Sequence, residues 1–246
     1  LEVLYHEGPC LVINKPGGLL TQAPPGIDSA EVRAKDYFRS REGKEEGNIY
    51  LGVPHRLDRP VSGALVLARH ARAANRLSEQ FSERRVGKIY WALVTGKVEP
   101  AEGTWCDSVR KIPDEPRAEV CSKFLPDARE AVLHYRVLGE IEGATWLEVR
   151  LETGRMHQVR VQSSAHGHAV LGDEQYGSTI PFGPQTEDPR ARWIALHAQR
   201  LQFKHPMTKA PIDIVAPLPT YWPQLPEPNK PSEPIEPSPG PAAPPE

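Results

Sequence analysis

The sequence has little cysteine: Cys10, Cys106 and Cys121 are the only three among 246 residues, scattered and without a CxxC pair. An odd, dispersed set argues against a disulfide scaffold or a cysteine zinc site and fits a reducing compartment. No run approaches the roughly 18–20 apolar residues that a membrane helix needs. The opening LEVLYHEGPC lacks a charged start followed by an apolar stretch, so no secretory signal is expected. The first residue is Leu, which is compatible with a trimmed start. Charge of one sign is also lacking: 30 Lys and Arg face 32 Asp and Glu, a formal net charge of -2. That excludes a protein that coats nucleic acid by bulk charge, although not a local basic face. The chain contains no GxxxxGK[ST] or GxGxxG phosphate loop, no GxSxG nucleophile elbow and no HExxH. Nucleotide-dependent chemistry, serine hydrolysis and zinc proteolysis therefore have no motif to stand on.

Proline is abundant, with 27 residues, twelve of them from Pro217 onward. Such a stretch supplies few backbone donors and buries little apolar surface. Residues 221–246, above all those after Leu225, read as an extended, disordered tail. A solvated extension without a role is the default, since no docking motif for a proline-binding partner stands in it. Residues 1–220 read as one domain without internal repeats.

Short apolar runs mark its strands. Cys10–Asn14 ends in the turn Lys15-Pro16-Gly17-Gly18, and further runs stand at Ala64–Ala68, Ile89–Thr95, Ala131–Val137 and Thr145–Leu151. In the last, Trp146, Glu148 and Arg150 alternate with Leu147, Val149 and Leu151. The spacing of Ala71, Ala74, Leu77 and Phe81 predicts a helix over His70–Arg85, broken by Gly87. Met156–Ala165 has strand-like Val159 and Val161, but Gly167 stands where a helix ends in a left-handed residue, which favours helix. Strands with few helices point to an α+β domain. Trp91, Trp105, Trp146 and Trp193 read as core or half-buried residues.

Between His55 and Lys97 nine Lys or Arg face three acids. Arg72, Arg76, Arg84 and Arg85 on the predicted helix form a positive face able to track phosphates, or an ordinary solvated face. Within His55-Arg56-Leu57-Asp58-Arg59, two arginines favour the ionised form of Asp58. An ionised, positioned carboxylate serves as nucleophile or base, and a surface turn with local ion pairs is the plainer alternative. Leu151–Val161 crowds Arg155, His157, Gln158 and Arg160 behind a Thr-Gly turn. His157, His166, His168 and Asp173 offer metal-type donors, but no fixed ligand spacing supports a metal site, and none is expected.

Six blocks in order carry a more specific signal: NKPGGLL (Asn14–Leu20), HRLDRPVSGALVLA (His55–Ala68), KIYWALVTG (Lys88–Gly96), LETGRMHQVRV (Leu151–Val161), GHAVLGDEQYG (Gly167–Gly177) and LHAQRLQFKHP (Leu196–Pro206). Together they resemble the RluA-like family of RNA pseudouridine synthases. The resemblance implies an α+β catalytic fold, a mixed and mostly antiparallel sheet with a central active-site cleft. The S4 RNA-binding domain that members often add is not expected before Asn14, and the resemblance has further implications. It implies isomerisation of specific uridines in ribosomal or transfer RNA, without metal or organic cofactor, by a cytoplasmic and monomeric enzyme. Asp58 then matches the essential carboxylate, Tyr90 the active-site tyrosine, and Arg160 the basic residue that pairs with that carboxylate. Arg56, beside the Asp, matches a position that fills the gap left by the extracted base. His55, Arg155, His157, Gln158 and Lys15 are the further candidates for RNA contact, although Lys-Pro-Gly-Gly is equally a turn. A non-catalytic RNA-binding relative using the same cleft is the alternative, and retention of Asp58, Tyr90 and Arg160 speaks for catalysis. Val61 replaces a common Thr and Gln162 a common His; the latter is expected to shift RNA contacts. Asp173 and Tyr176 are expected to hold a loop by hydrogen bonding. Pro24–Gly47 and Ile112–Arg129 are candidate RNA-reading loops.

Overall fold

The computed structural model describes residues 1–43, 48–188 and 191–225. In chain order the elements are β1 (Glu2–Glu7), β2 (Cys10–Lys15), α1 (Ala30–Glu42), β3 (Ser62–Ala68), α2 (Ala71–Ser82), β4 (Gly87–Thr95), β5 (Glu102–Lys111), β6 (Ala118–Val120), β7 (Arg129–Ile141), β8 (Ala144–Leu151), α3 (Gln158–Ala165), β9 (Leu196–Lys204) and β10 (Pro211–Val215). Strands dominate and helices are few, an α+β fold. Two compact units divide the chain: Leu1–Lys88 with Ala198–Leu218, and Ile89–His197 with the described residues from Pro219 on.

In the first unit the strand order is β1-β2-β3-β9, and β10 pairs with β9. β2 and β3 run antiparallel with Leu11 opposite Leu67 and Ile13 opposite Leu65. Both of their faces are buried, which is why each reads as an unbroken apolar run rather than an alternation. One face carries Val12, Ala64 and Val66, packed against Ala73, Ala74 and Leu77 of α2 and Leu201 and Phe203 of β9. Ala71, expected in that stripe, is exposed. The polar Gln80 is buried instead, because its amide substitutes for a strand partner: Oε1 accepts from Lys204 N at 2.8 Å and Nε2 donates to Lys204 O at 2.9 Å. α2 stops at Ser82, not Arg85, with Arg84 left-handed at φ 57°, and Gly87 opens β4 rather than breaking the helix. Of the four arginines assigned to the helix, only Arg72 and Arg76 lie on it, and Arg76 donates to Pro206 O at 2.8 Å.

Pro24–Gly47 contains α1, so most of that candidate reading loop is helix; residues 44–47 lie outside the described residues. Ser29 caps it, its hydroxyl accepting from Val32 N at 3.2 Å. Ala30, Ala34 and Phe38 are its buried stripe. Its Arg33, Lys35 and Arg39 pair with Asp28, Glu31 and Asp36, which leaves this segment a poor electrostatic match for phosphate. Gly63 in β3 has φ +119°, and a Cβ there would lie 2.4 Å from Ala198 O and 2.6 Å from Ala198 N. Only glycine fits that close approach.

In the second unit the order is β4-β8-β7-β5-β6, with each of these neighbours antiparallel. The alternation expected of β8 is not an inside–outside pattern: Trp146 and Glu148 are each 1% exposed. Glu148 tolerates this because Arg136 and Arg150 reach it at 3.2 and 3.3 Å. The tryptophans are core or half-buried, as expected. α3 forms where helix was favoured and starts at Gln158, packing Val161 against Val109, Ala118 and Ala131. Gly167 beyond it has φ +86°. Trp222, placed in the tail by the sequence, is 7% exposed and packs edge-on to Phe182. The remainder of the expected tail, residues 226–246, lies outside the described residues.

Candidate functional site

The segment around Asp58 is built by side chains that seize its backbone. The Thr21 hydroxyl donates to Leu57 O at 2.7 Å and accepts from Leu57 N at 3.2 Å. On the other side of Asp58, Lys15 Nζ donates to Arg59 O at 3.3 Å, and also to Pro16 O and Leu19 O at 2.9 and 2.7 Å. Arg59 Nε in turn donates to Gly18 O at 3.0 Å. Asp58 O accepts from Val61 N at 3.1 Å, closing the turn before β3. Leu57 is buried, whereas Asp58 itself is half-buried.

Lys15 is 0% exposed, so it serves the site from behind rather than as a surface phosphate ligand. Burial pushes its amine down to about 7, and the negative charge of Asp58 works in the opposite direction. His55 is likewise an anchor: Nε2 accepts from Val66 N at 3.0 Å, and its ring stacks on Phe81 at 4.4 Å. Burial, assisted by the Lys88 charge, brings its pKa down to about 3, so the ring is a neutral acceptor. Arg56 is exposed. Val61, which lacks the hydroxyl of a Thr, is 2% exposed and donates its backbone N–H to close the turn.

Tyr90, Arg155, His157, Gln158 and Arg160 belong to the second unit. Tyr90 lies on β4 opposite Val149 and is half-buried. The Thr-Gly turn before α3 is docked on Val132 of β7. Thr153 Oγ1 accepts from Val132 N at 2.8 Å and donates to Gln158 Oε1 at 2.8 Å, while Gln158 Nε2 donates to Val132 O at 3.1 Å. Gln158 Oε1 also accepts from Arg155 N at 2.9 Å, and Arg155 Nε donates to Glu130 O at 2.7 Å. Gln158, at 3% exposure, therefore fixes the turn rather than offering a surface for RNA. His157, left-handed at φ 53°, hydrogen-bonds through Nδ1 to the Tyr176 hydroxyl at 2.8 Å.

Arg160 is 4% exposed. The resemblance pairs it with the catalytic carboxylate; within its own unit its fork grips a different one, Asp173. Nε donates to Oδ2 at 2.6 Å and Nη2 to Oδ1 at 2.8 Å. Nη2 also donates to Gln175 Oε1 at 2.8 Å, and the guanidinium lies over the Tyr176 ring at 4.9 Å. The expected loop-holding role of Asp173 and Tyr176 thus includes a grip on Arg160. Gln162, expected to alter RNA contacts, is 0% exposed. It ties α3 to the sheet through Asp107 Oδ2 at 2.7 Å, Ala131 O at 3.1 Å and Trp105 O at 3.3 Å. The four metal-type donors go separate ways: His157 to Tyr176, His166 to Asp107, His168 to Thr95 O and Asp173 to Arg160.

Of the residues that support the Asp58 turn, Thr21 carried no sequence signal beyond following the first matched block, and Phe81 was read only as part of the apolar stripe of the helix. Their partners are 36 and 26 residues away in the chain, at Leu57 and His55.

Residues 9–165 match the family described as RNA pseudouridylate synthase. An uncharacterized RNA pseudouridine synthase of Synechocystis is 33% identical over 226 residues, covering 92% of this chain and 68% of its own. The ribosomal large subunit pseudouridine synthase D of Xylella fastidiosa is 35% identical over 232 residues, with coverage of 92% and 68%. Among solved structures, human RNA pseudouridylate synthase domain containing 1 superposes with a TM-score of 0.66 at 27% identity, covering 89% of this chain and 84% of that one. A family match over more than half the chain and relatives at a third identity agree with the six blocks read in the sequence, and the chain belongs to the RluA-like family of RNA pseudouridine synthases, isomerases that act on RNA.

Proposed function

We propose that this enzyme converts specific uridines of structured ribosomal or transfer RNA to pseudouridine, acting as a cytoplasmic monomer, with Asp58 as the catalytic carboxylate. The reaction breaks the bond from N1 of uracil to C1′ of the sugar and forms one from C5 to C1′. C5 gives up its proton and N1 gains one, so composition is unchanged and no cofactor is called for. Asp58 initiates it, either by attack at the sugar or by removal of the 2′ proton. Tyr90 stacks on the base and passes a proton at the sugar or base. Arg160 serves the carboxylate, favouring its ionised form. The target nucleotide must leave the helical stack, at a cost of a few kcal/mol. Arg56 fills the vacated space, and Arg155 and His157 contact the RNA.

The observation that carries this reading is the pinned turn: Leu57 and Arg59 are tied down on both sides of Asp58 while the carboxylate between them stays half-exposed. That is the form a positioned base or nucleophile needs. The names of relatives that act on the large ribosomal subunit favour ribosomal RNA as the substrate.

The test is chemical tagging and mass-spectrometric mapping of pseudouridine in total RNA from cells with and without this gene. Sites lost on deletion should return with the parent protein and not with Asp58→Asn, which should fold normally and still bind RNA. Return of the sites with Asp58→Asn removes the proposed role of the carboxylate.

A further inference from the structure

Phe124 in the second unit is 85% exposed, more than any other large apolar residue among the described ones, and Leu125 beside it is 40% exposed. A phenyl ring left in water forgoes one of the larger apolar gains open to a side chain. The loop between β6 and β7 holds it there. Ser122 O accepts from Leu125 N at 3.0 Å, the Ser122 hydroxyl accepts from Phe124 N at 3.4 Å, and Leu125 O accepts from Ala128 N at 3.2 Å. Pro126 presets the backbone of the second turn. Two consecutive turns thus fix the main chain beneath the ring. Lys123 Nζ lies over the ring, 5.2 Å from its centroid.

The loop bridges β5, whose Val109 faces Val120 on one side and Arg129 on the other. Lys111 at the end of β5 and Arg129 at the start of β7 are exposed. Arg110 and Arg117 pair with Glu119 and Glu115, whereas Lys111, Lys123 and Arg129 have no ion-pair partner among the described residues. Asp127 is the one acid of residues 121–128. The next residue after Arg129, Glu130, accepts the Arg155 side chain on its carbonyl at 2.7 Å, so the loop leads directly to a proposed RNA contact. An aromatic ring flanked by unpaired cations is the platform on which single-stranded nucleic acid stacks its bases. An apolar protein partner would have no use for the cations. The reacting nucleotide needs an enclosing pocket, which a ring this open does not provide, so the base that Phe124 takes is another one.

We propose that Phe124 is a specificity-determining residue of the isomerisation: its ring stacks on an unpaired base of the substrate RNA outside the reacting nucleotide, while Lys111, Lys123 and Arg129 meet the adjoining phosphates. This deepens the proposed function and rests on it. Every base has a π face, so the contact selects for an unpaired base at that place in the RNA and not for its identity.

The probe is deproteinised total RNA from cells lacking this gene grown on 5-tritiated uridine, since the reaction releases the C5 hydrogen. Single-turnover tritium release is followed against enzyme concentration for the parent and its variants, with circular dichroism as the check on folding. A ring this exposed is dispensable to the fold. Phe124→Ala should raise the half-saturating enzyme concentration roughly 10–100-fold, the scale of one base–aromatic stack, with little change in the maximal rate. Phe124→Leu, apolar but without a π face, should lose as much, and Phe124→Trp should stay within about threefold of the parent. Lys111→Ala combined with Arg129→Ala should lower the slope of log half-saturation against log salt by about 1.4, the share of two single-strand phosphate contacts. An unchanged slope overturns the part given to the cations. Parental half-saturation in Phe124→Ala overturns the proposal. So does parental half-saturation in Phe124→Leu, which would make the contact a merely apolar one, of the kind a protein partner makes. A fall in the maximal rate alone overturns it as well, because the ring would then serve the chemistry rather than recognition. No release by the parent overturns the proposed function and this inference with it, whereas full release by Asp58→Asn overturns the role of the carboxylate alone.

Discussion

The two units secure their functional segments in different ways. Around Asp58, side chains grip main chain: Thr21 takes both polar groups of Leu57, Lys15 reaches the carbonyl of Arg59, and His55 accepts the amide of Val66. Around Arg160, side chains grip side chains: Asp173 and Gln175 hold the guanidinium, and Tyr176 lies beneath it. A backbone clamp fixes where a residue's side chain starts. A side-chain clamp fixes the functional atoms directly, and brings charge with it. The first design therefore responds to loss of neutral hydrogen bonds and the second to loss of charge partners.

That contrast can be tested by removing one member at a time. Arg160→Ala strands a buried carboxylate and should cost about 3–5 kcal/mol in urea unfolding; a cost below about 1 kcal/mol would erase the distinction between the halves. Lys15→Met leaves three carbonyls without their donor and should cost about 2 kcal/mol. Its pH dependence has a definite sign. Between about pH 7 and the ordinary lysine value of 10.5, the unfolded chain holds a proton on this amine that the folded chain does not. Parent stability should rise with pH across that window, and the rise should vanish in Lys15→Met. His55 acts lower on the scale. Its folded value near 3 lies below the ordinary 6.5, so as pH falls from 6.5 toward 3 only the unfolded chain takes up the proton. Stability should fall by up to about 1.4 kcal/mol per pH unit, and His55→Gln, which can still accept from Val66 N, should flatten that slope. Thr21→Val should be the mildest change, about 1 kcal/mol in unfolding. Its larger effect should be on turnover, since the tie to Leu57 sits next to Asp58; an unchanged rate of tritium release would argue against positioning by the backbone.

Much of this was legible in the sequence where the signal is local. The apolar runs of β2, β3 and β4 and the three-and-four spacing of α2 are properties of neighbouring residues, and so is the left-handed glycine after α3. α1 escaped because its buried stripe is mostly alanine, Ala30 and Ala34 before Phe38, set among paired charges and preceded by two prolines that read as loop. Glu148 escaped because its neutralising arginines come partly from another strand. The blocks pointed to Asp58, Tyr90 and Arg160 as a set. The partners that hold Asp58 and Arg160 were not legible, since Thr21 to Leu57 and Arg160 to Asp173 are contacts between segments that only folding brings together.

Gly63 in β3 limits how this protein can vary. The neighbouring strand's backbone occupies the space of a side chain there, with φ in the region that L residues avoid. Every missense change of that codon adds a Cβ, so the genetic code offers no conservative alternative. The position five residues after Asp58 is in that sense mutationally closed. Within the same turn Val61 is constrained less directly: its backbone N–H closes the turn on Asp58 O, and its side chain, 2% exposed, must stay apolar.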